Sequence, residues 1–241
     1  LIPFFNDPFF QRFFGDQFRQ QIPRERREQS LGSGVVVRSD GYILTNHHVV
    51  DGADEVKIAF ADGRETTARI VGTDPKIDIA VLKVEENDLP VLTLGDSSQV
   101  EVGEIVLAIG NPFGFSHTVT TGVISAVNRS IRAEDRVYHD FIQIDASINP
   151  GNSGGPLLNI NGDLIGINTA IYAKAQGIGF AIPIDKARKI ISDLIQYGEV
   201  KQAWIGITVQ DMDEKLASYL AVSGKKGVII KSVDAQSPAE K

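Results

Sequence analysis

The residues best suited to chemistry are a serine set among glycines, in the run Gly151-Asn152-Ser153-Gly154-Gly155-Pro156. Glycine lets the backbone bend tightly, so the serine hydroxyl protrudes and neighbouring N–H groups converge on one point. The N–H groups of Gly151 and Ser153, on either side of Asn152, could stabilise the oxyanion of a tetrahedral intermediate by roughly 3–4 kcal/mol each. Taken alone, the run also fits a tight turn or a phosphate-binding nest, although it lacks the Gly-Lys-Ser/Thr ending of a P-loop.

A nucleophilic serine needs a base to take its proton and a third group to orient that base. Of the four histidines, His47 and His48 lie at the end of a predicted strand, and Asp78 opens an apolar strand. A carboxylate among apolar neighbours is costly unless it is hydrogen-bonded, which makes Asp78 a candidate for orienting a histidine. Taken singly, the histidine also fits a solvated loop and the aspartate a strand-end cap. The chain order His, Asp, Ser is that of the chymotrypsin-type triad.

The composition excludes several other kinds of site. The chain has no cysteine, which rules out a thiolate nucleophile, a disulfide framework and cysteine-based metal sites. His47 and His48 are adjacent and point in different directions, so they make a poor metal pair, and we expect neither a metal nor a cofactor. A net charge of −7 without a basic stripe argues against nucleic acid as a partner. No apolar run reaches the roughly 18 residues of a transmembrane segment.

Short strands separated by turns must position these side chains. Three pairs of apolar segments flank turn dipeptides that are typical of hairpins: Asp40-Gly41, Asp62-Gly63 and Asn161-Gly162. A further strand is predicted at Val119–Val127. Many short strands and almost no helix over residues 31–180 predict an all-β barrel or sandwich. One helix is predicted after this region, from its candidate N-cap Asp185 to Gly198, which occupies the position of a C′ glycine.

The first 30 residues differ from the rest because they hold a dense group of phenylalanines: Phe4, Phe5, Phe9, Phe10, Phe13, Phe14 and Phe18. We do not expect such a cluster to stay in water alone. Two interpretations remain open, a cover for a groove of its own domain and a contact between subunits, with an in-plane membrane anchor as a weaker third. Because the first residue is Leu1, we expect a processed chain whose targeting segment is not visible.

Six segments, in order over residues 31–197, together resemble the HtrA/Deg (high-temperature-requirement) serine proteases. They are Leu31-Gly32-Ser33-Gly34-Val35, Thr45-Asn46-His47-His48-Val49-Val50, Asp78-Ile79-Ala80-Val81-Leu82, Gly110-Asn111-Pro112-Phe113-Gly114, Gly151-Asn152-Ser153-Gly154-Gly155-Pro156 and Ile165-Gly166-Ile167-Asn168. The family pattern Thr-Asn-x-His-Val-Val places the catalytic base on His48. The resemblance likewise implies Asp78 as the orienting carboxylate and Ser153 as the nucleophile.

The resemblance also implies the domain organisation. An aromatic segment, 1–30, would precede a chymotrypsin-like double β-barrel protease domain with a C-terminal helix, 31–197. The tail from Trp204-Ile205-Gly206-Ile207 resembles the opening of a PDZ domain, so 198–241 would be a partial PDZ (α+β) segment.

The activity implied is that of an ATP-independent endopeptidase, which degrades misfolded or damaged proteins by acyl-enzyme chemistry as part of quality control and the stress response. The location implied is the bacterial cell envelope, in the periplasm. The alternative is a non-catalytic holdase, or a peptide-sensing scaffold, on the same fold. Family members form trimers through aromatic N-terminal residues, which favours self-association as the role of the phenylalanine cluster.

The resemblance further implies an oxyanion hole at Gly151, Asn152 and Ser153, and a P1 pocket for small or medium apolar side chains. The residues expected to line that pocket are Ile148, Tyr172 and Ile178. The chain lacks the Ile-Val-Gly-Gly start whose free amine orders the oxyanion loop in trypsin-like zymogens. Activation would then come from ordering of a loop, and Asn149-Pro150-Gly151 is the segment expected to switch.

Overall fold

The computed structural model describes residues 31–111, 118–133, 136–171, 177–200, 204–222 and 227–241. The segment 1–30, with its phenylalanine cluster, and Tyr172 lie outside the described residues, so the expectations about them stay predictions. The chain divides into two compact units after Val200. Each unit is described by itself.

The first half of the larger unit is an antiparallel sheet with one helical turn. Its elements are β1 (Val35–Arg38), β2 (Tyr42–Thr45), α1 (His47–Val50), β3 (Val56–Ala59), β4 (Glu65–Asp74) and β5 (Ile79–Lys83). The strand order is β1-β2-β5-β4-β3. Two predicted hairpins are confirmed here, with Gly41 and Gly63 at φ of 98° and 85°, in the left-handed region that glycine favours.

The second half is a closed barrel of six strands. These are β6 (Ile105–Gly110), β7 (Thr118–Ala133), β8 (Arg136–Ile144), β9 (Pro156–Asn159), β10 (Leu164–Ile171) and β11 (Gly179–Pro183). Each strand pairs with its two neighbours in the order β10-β11-β8-β7-β6-β9. The predicted all-β architecture is confirmed.

Strand β5 is buried on both faces, because it lies between two parts of the core. Ile79 and Val81 pack in a cluster that also holds Phe180 of the barrel, while Ala80 and Leu82 pack on the opposite side, within the first sheet. Alternate residues of a strand point to opposite faces, which accounts for the continuous apolar run. The start of β5 is therefore held firmly, and Asp78 lies immediately before it.

The helix predicted after the barrel is confirmed as α2 (Ile184–Tyr197). Gly198 ends it at φ 76°, with its N–H hydrogen-bonded back to the last turn. The expectation that Asp185 is the N-cap is wrong, because Pro183 occupies that position. Asp185 lies in the first turn, where its carboxylate accepts a hydrogen bond from the Ser97 hydroxyl at 2.8 Å.

Where the structure describes it, over 204–222 and 227–241, the smaller unit holds two antiparallel strands and two short helices. They are β12 (Ile207–Asp211), α3 (Glu214–Tyr219), β13 (Val228–Val233) and a 3₁₀ turn at Pro238–Glu240. Asp213 caps α3 by accepting a hydrogen bond from the Leu216 N–H at 2.8 Å. Across the described ranges, no helix is both long enough and apolar enough to cross a membrane.

Candidate active site

Asp78 is buried at the junction between β4 and β5. It is 3 % exposed, and its φ of 60° places it in the left-handed region, which aspartate tolerates better than most residues. The Asn46 side-chain amide donates to the Asp78 carbonyl at 2.9 Å and holds this strained backbone. The carboxylate is thereby presented to α1 rather than to solvent.

His48 meets that carboxylate with two of its groups. Its ring Nδ1 lies 2.8 Å from Asp78 Oδ2 and 3.0 Å from Oδ1, and its backbone N–H donates to Oδ1 at 3.0 Å. Because an ionised carboxylate only accepts hydrogen bonds, Nδ1 carries the proton in the neutral ring and Nε2 carries the lone pair. This is the tautomer in which a histidine can act as a base through Nε2.

Thr169, in the second half of β10, connects the carboxylate to the serine. Its hydroxyl donates to Asp78 Oδ2 at 2.8 Å, and its carbonyl accepts a hydrogen bond from the Ser153 hydroxyl at 2.8 Å. Both Thr169 and Ser153 are buried. The structure thus joins the three predicted residues in one hydrogen-bonded group, His48–Asp78–Thr169–Ser153.

The segment before Ser153 is a tight turn, which sets the direction of the N–H groups around the serine. The Asn152 N–H donates to the Asn149 carbonyl at 2.9 Å, which closes a four-residue β-turn. Pro150 and Gly151 are its central residues, and Gly151 has a φ of 101°. A positive φ at the third position after proline at the second defines a type II turn.

The backbone donors around Ser153 divide into two sets. The N–H groups of Asn152, Gly154 and Gly155 each donate to a backbone carbonyl, whereas within the described residues those of Gly151 and Ser153 have no protein acceptor. Buried N–H groups without a partner are rare in folded proteins, so this pair is available to bind an oxygen that the protein itself does not supply. Of the residues predicted for the oxyanion hole, Gly151 and Ser153 offer such donors and Asn152 does not.

Gly154 shows why the run around Ser153 needs glycine. Its φ is 85°, and a Cβ at this position would collide with the Ser33 carbonyl and the Thr45 hydroxyl. Its N–H donates to the Asn168 carbonyl at 2.8 Å, which ties the turn to β10. The glycine therefore lets three segments approach one another closely.

The residues predicted to form the P1 pocket are only partly described. Ile148 is buried in the barrel core, 5 % exposed, and a Cβ added at Gly179 would lie 2.9 Å from its Cγ1. Ile178, which precedes Gly179, is partly buried against the cluster shared by the two sheets. The pocket remains a prediction, since Tyr172 lies outside the described residues.

Sequence reasoning gave no role of their own to three residues of the site: Asn46, Thr169, and Ser33, whose N–H donates to the Ser153 carbonyl at 2.8 Å. Thr169 directly follows the motif Ile165-Gly166-Ile167-Asn168, but a threonine within a strand carries no chemical signal of its own. For metals, the described ranges contain no group of three or more His, Asp or Glu able to hold an ion.

The fold and the serine-centred group define a class, the trypsin-like peptidases. The family model for a trypsin-like peptidase domain matches residues 32–167. Solved structures agree: an HtrA-type protease AlgW with a decapeptide superposes with a TM-score of 0.79 at 48 % identity, over 100 % of this chain and 74 % of the other. A serine endoprotease from Yersinia pestis gives 0.70 at 41 %, over 90 % of this chain and 71 % of the other.

Sequence identity to curated relatives identifies the family within the trypsin-like peptidases. A probable periplasmic serine endoprotease DegP-like of Hahella chejuensis is 50 % identical over 236 residues, 97 % of this chain and 50 % of that protein. The protein of the same name from Chlamydia trachomatis is 48 % identical over 243 residues, 99 % of this chain and 48 % of that protein. The chain belongs to the HtrA/Deg family of trypsin-like serine endopeptidases, as its motifs predicted, and spans about half the length of these relatives.

Proposed function

We propose that the protein is an ATP-independent serine endopeptidase that degrades misfolded or damaged polypeptides in the bacterial periplasm. The observation that carries this proposal is the hydrogen-bonded group of His48, Asp78, Thr169 and Ser153, with two unpartnered N–H groups beside it. The names of the curated relatives, periplasmic serine endoproteases, support the activity and the location.

In the proposed mechanism, Ser153 Oγ attacks the carbonyl carbon of a peptide bond while His48 Nε2 takes the hydroxyl proton. The carbonyl oxygen becomes an oxyanion, which the N–H groups of Gly151 and Ser153 stabilise. Asp78 holds the imidazole in its working tautomer and stabilises the imidazolium that forms. The C–N bond then breaks, and the proton passes from His48 to the leaving amine.

The acyl-enzyme left on Ser153 is removed by water. His48 takes a proton from the water as its oxygen bonds to the ester carbon, and the returning proton releases Ser153 and a new peptide carboxylate. No nucleotide enters either half of this sequence, so the chemistry itself needs no ATP.

The domain assignment and the assembly are part of the same proposal. Residues 31–197 form the protease domain and 198–241 belong to a PDZ domain, for which the β12–β13 pair and α3 are suitable elements. The phenylalanines of segment 1–30 join subunits into a trimer. Sedimentation of the chain with and without residues 1–20 tests this, because deletion should shift the trimer to monomer.

Labelling and cleavage test the activity. A fluorophosphonate probe should attach to Ser153 of the native chain, and casein should be cut without ATP. Ser153→Ala should abolish both reactions, and the matched control Ser97→Ala should keep both. A holdase would bind unfolded casein but neither react with the probe nor cut the casein, and that result would replace the proposed function.

A further inference from the structure

Ser33 lies between two glycines just before β1, far in sequence from Ser153. Its polar groups nevertheless form hydrogen bonds with the segment Gly151–Ser153. Its hydroxyl donates to the Gly151 carbonyl at 2.6 Å across 118 residues of sequence, and its own oxygen accepts from the Asn111 N–H at 2.9 Å. Its backbone N–H donates to the Ser153 carbonyl at 2.8 Å. The hydroxyl of this partly buried residue is therefore occupied both as donor and as acceptor.

These contacts hold the peptide planes between and beside the two unpartnered donors. The plane that joins Gly151 to Asn152 is held at its carbonyl by Ser33 and at its N–H by the Asn149 carbonyl. This plane lies between the peptide carrying the Gly151 N–H and the peptide carrying the Ser153 N–H. Fixing the Gly151–Asn152 plane therefore restricts the orientation of the neighbouring peptide on each side, and with it the direction of the Gly151 and Ser153 N–H groups.

The turn sequence does not supply this rigidity by itself. Proline at the second position of a β-turn suits types I and II alike, and glycine at the third tolerates either sign of φ. The two turn types differ by a reversal of the peptide between Pro150 and Gly151, which would turn the Gly151 N–H away from the oxyanion. Contacts from elsewhere in the chain must therefore hold the turn: the Ser33 hydroxyl makes one of them at the Gly151 carbonyl, where the Asn111 N–H also lies 3.4 Å away, and the Ser33 N–H holds the residue that follows the turn at the Ser153 carbonyl.

We propose that Ser33 is a positioning residue for the oxyanion donors. Its hydroxyl and its N–H clamp the carbonyls of Gly151 and Ser153, so that the N–H groups of the same two residues stay aimed at one point. The inference rests on the proposed function, because it assigns Ser33 a task only if those N–H groups bind an oxyanion. The hydrogen bonds of Ser33 end on the carbonyls of Gly151 and Ser153, whereas the Ser153 hydroxyl bonds to Thr169.

Ser33→Ala tests the proposal, because it removes the hydroxyl and leaves the backbone N–H in place. Loss of a whole oxyanion donor lowers kcat by about 10²–10³-fold. Misplacement of one donor in Ser33→Ala should lower kcat by about 10–100-fold, while KM for a peptide substrate stays within about twofold of the native value. Affinity for a peptide aldehyde, whose tetrahedral adduct places an oxygen in the hole, should fall in parallel with kcat.

Two further variants separate positioning from general destabilisation. Ser97→Ala removes a matched hydroxyl, which donates to Asp185 Oδ2 at 2.8 Å and accepts from the Asp185 N–H at 3.1 Å. It should lower the melting temperature as much as Ser33→Ala while leaving kcat unchanged. Ser33→Thr keeps a hydroxyl and should restore kcat to within about threefold of the native value.

The outcomes divide cleanly. Native kcat and aldehyde affinity in Ser33→Ala, or equal losses in Ser33→Ala and Ser33→Thr, would overturn the role of the hydroxyl. Equal losses of kcat in Ser33→Ala and Ser97→Ala would assign the effect to stability and overturn it too. If the native chain neither cuts peptide nor binds the aldehyde, the proposed function fails instead, and the inference falls with it.

Discussion

The Ser153 hydroxyl donates its hydrogen bond to the carbonyl of Thr169, at 2.8 Å. A hydroxyl has one hydrogen, so in this arrangement the proton points at a backbone oxygen that cannot accept it permanently. In the proposed mechanism this hydroxyl must turn from the Thr169 carbonyl to Nε2 of His48 before its proton can be transferred. Thr169 therefore contacts the serine in its resting orientation and, through its own hydroxyl, the carboxylate that orients the base.

Thr169→Val should lower kcat because it removes the hydroxyl that donates to Asp78 while keeping the backbone carbonyl. A hydrogen bond to a charged group is worth about 1.5–3 kcal/mol, so a loss of about 10–100-fold in kcat is expected. Thr169→Ser keeps the donor and serves as the control, with kcat near the native value. Steady-state kinetics on a peptide substrate measure both, and equal rates for the two variants would show that this bond is not used.

Asp78→Asn should cost far more than Thr169→Val. An asparagine amide offers N–H groups to His48 Nδ1 and favours the wrong tautomer of the imidazole, a change worth about 10⁴-fold in kcat in a serine triad. The ¹⁵N chemical shifts of the ring report which nitrogen of His48 carries the proton in each variant. A rate within tenfold of native would remove Asp78 from the proposed orienting role.

Gly154→Ala and Gly162→Ala form a matched pair for stability. Both glycines have positive φ, 85° and 83°, but a Cβ at Gly162 meets nothing within 4 Å, whereas at Gly154 it collides with the Ser33 carbonyl. Gly162→Ala should lower the free energy of unfolding by about 1 kcal/mol from backbone strain alone. Gly154→Ala should lose roughly 1–3 kcal/mol more, and urea denaturation curves measure the difference.

The pKa of Asp96 offers a test by titration. The Ser98 hydroxyl and then the Ser98 N–H, at 2.6 and 2.9 Å from Oδ1, hold the pKa of the Asp96 carboxyl below its ordinary value. The folded protein gains stability from this carboxylate at pH values above the ordinary pKa, and loses it as the pH falls through the lowered one. Ser98→Ala should move the pKa upward, which NMR titration of the carboxyl carbon detects.

The sequence predicted the His, Asp and Ser of the site because each has a chemical reason to be where it is. A buried carboxylate before an apolar strand needs donors, and a serine among glycines needs a tight turn. The predicted hairpins hold for the same reason, since each has a turn dipeptide that defines it. Thr169 could not be found in this way, because its role depends on β10 being placed beside Asp78 by the fold.

The sequence predicted the ends of strands and helices less well where tertiary contacts outweigh local conformational preference. The strand predicted at Val119–Val127 extends over Thr118–Ala133, because the residues beyond Val127 pair with β8, as in Ile131 opposite Tyr138. The histidines predicted to end a strand instead begin the helical turn α1, in which the His48 N–H reaches Asp78. In both places the structure depends on a partner that is distant in sequence, β8 for the strand and Asp78 for the helical turn, so a local sequence pattern does not reveal it.

The carboxylate and imidazole belong to the open sheet, and the hydroxyl and its turn belong to the barrel, with Ser33 reaching from one to the other. In the proposed mechanism the base and the nucleophile therefore come from different halves, so the rate of hydrolysis would report how well the two halves pack against each other.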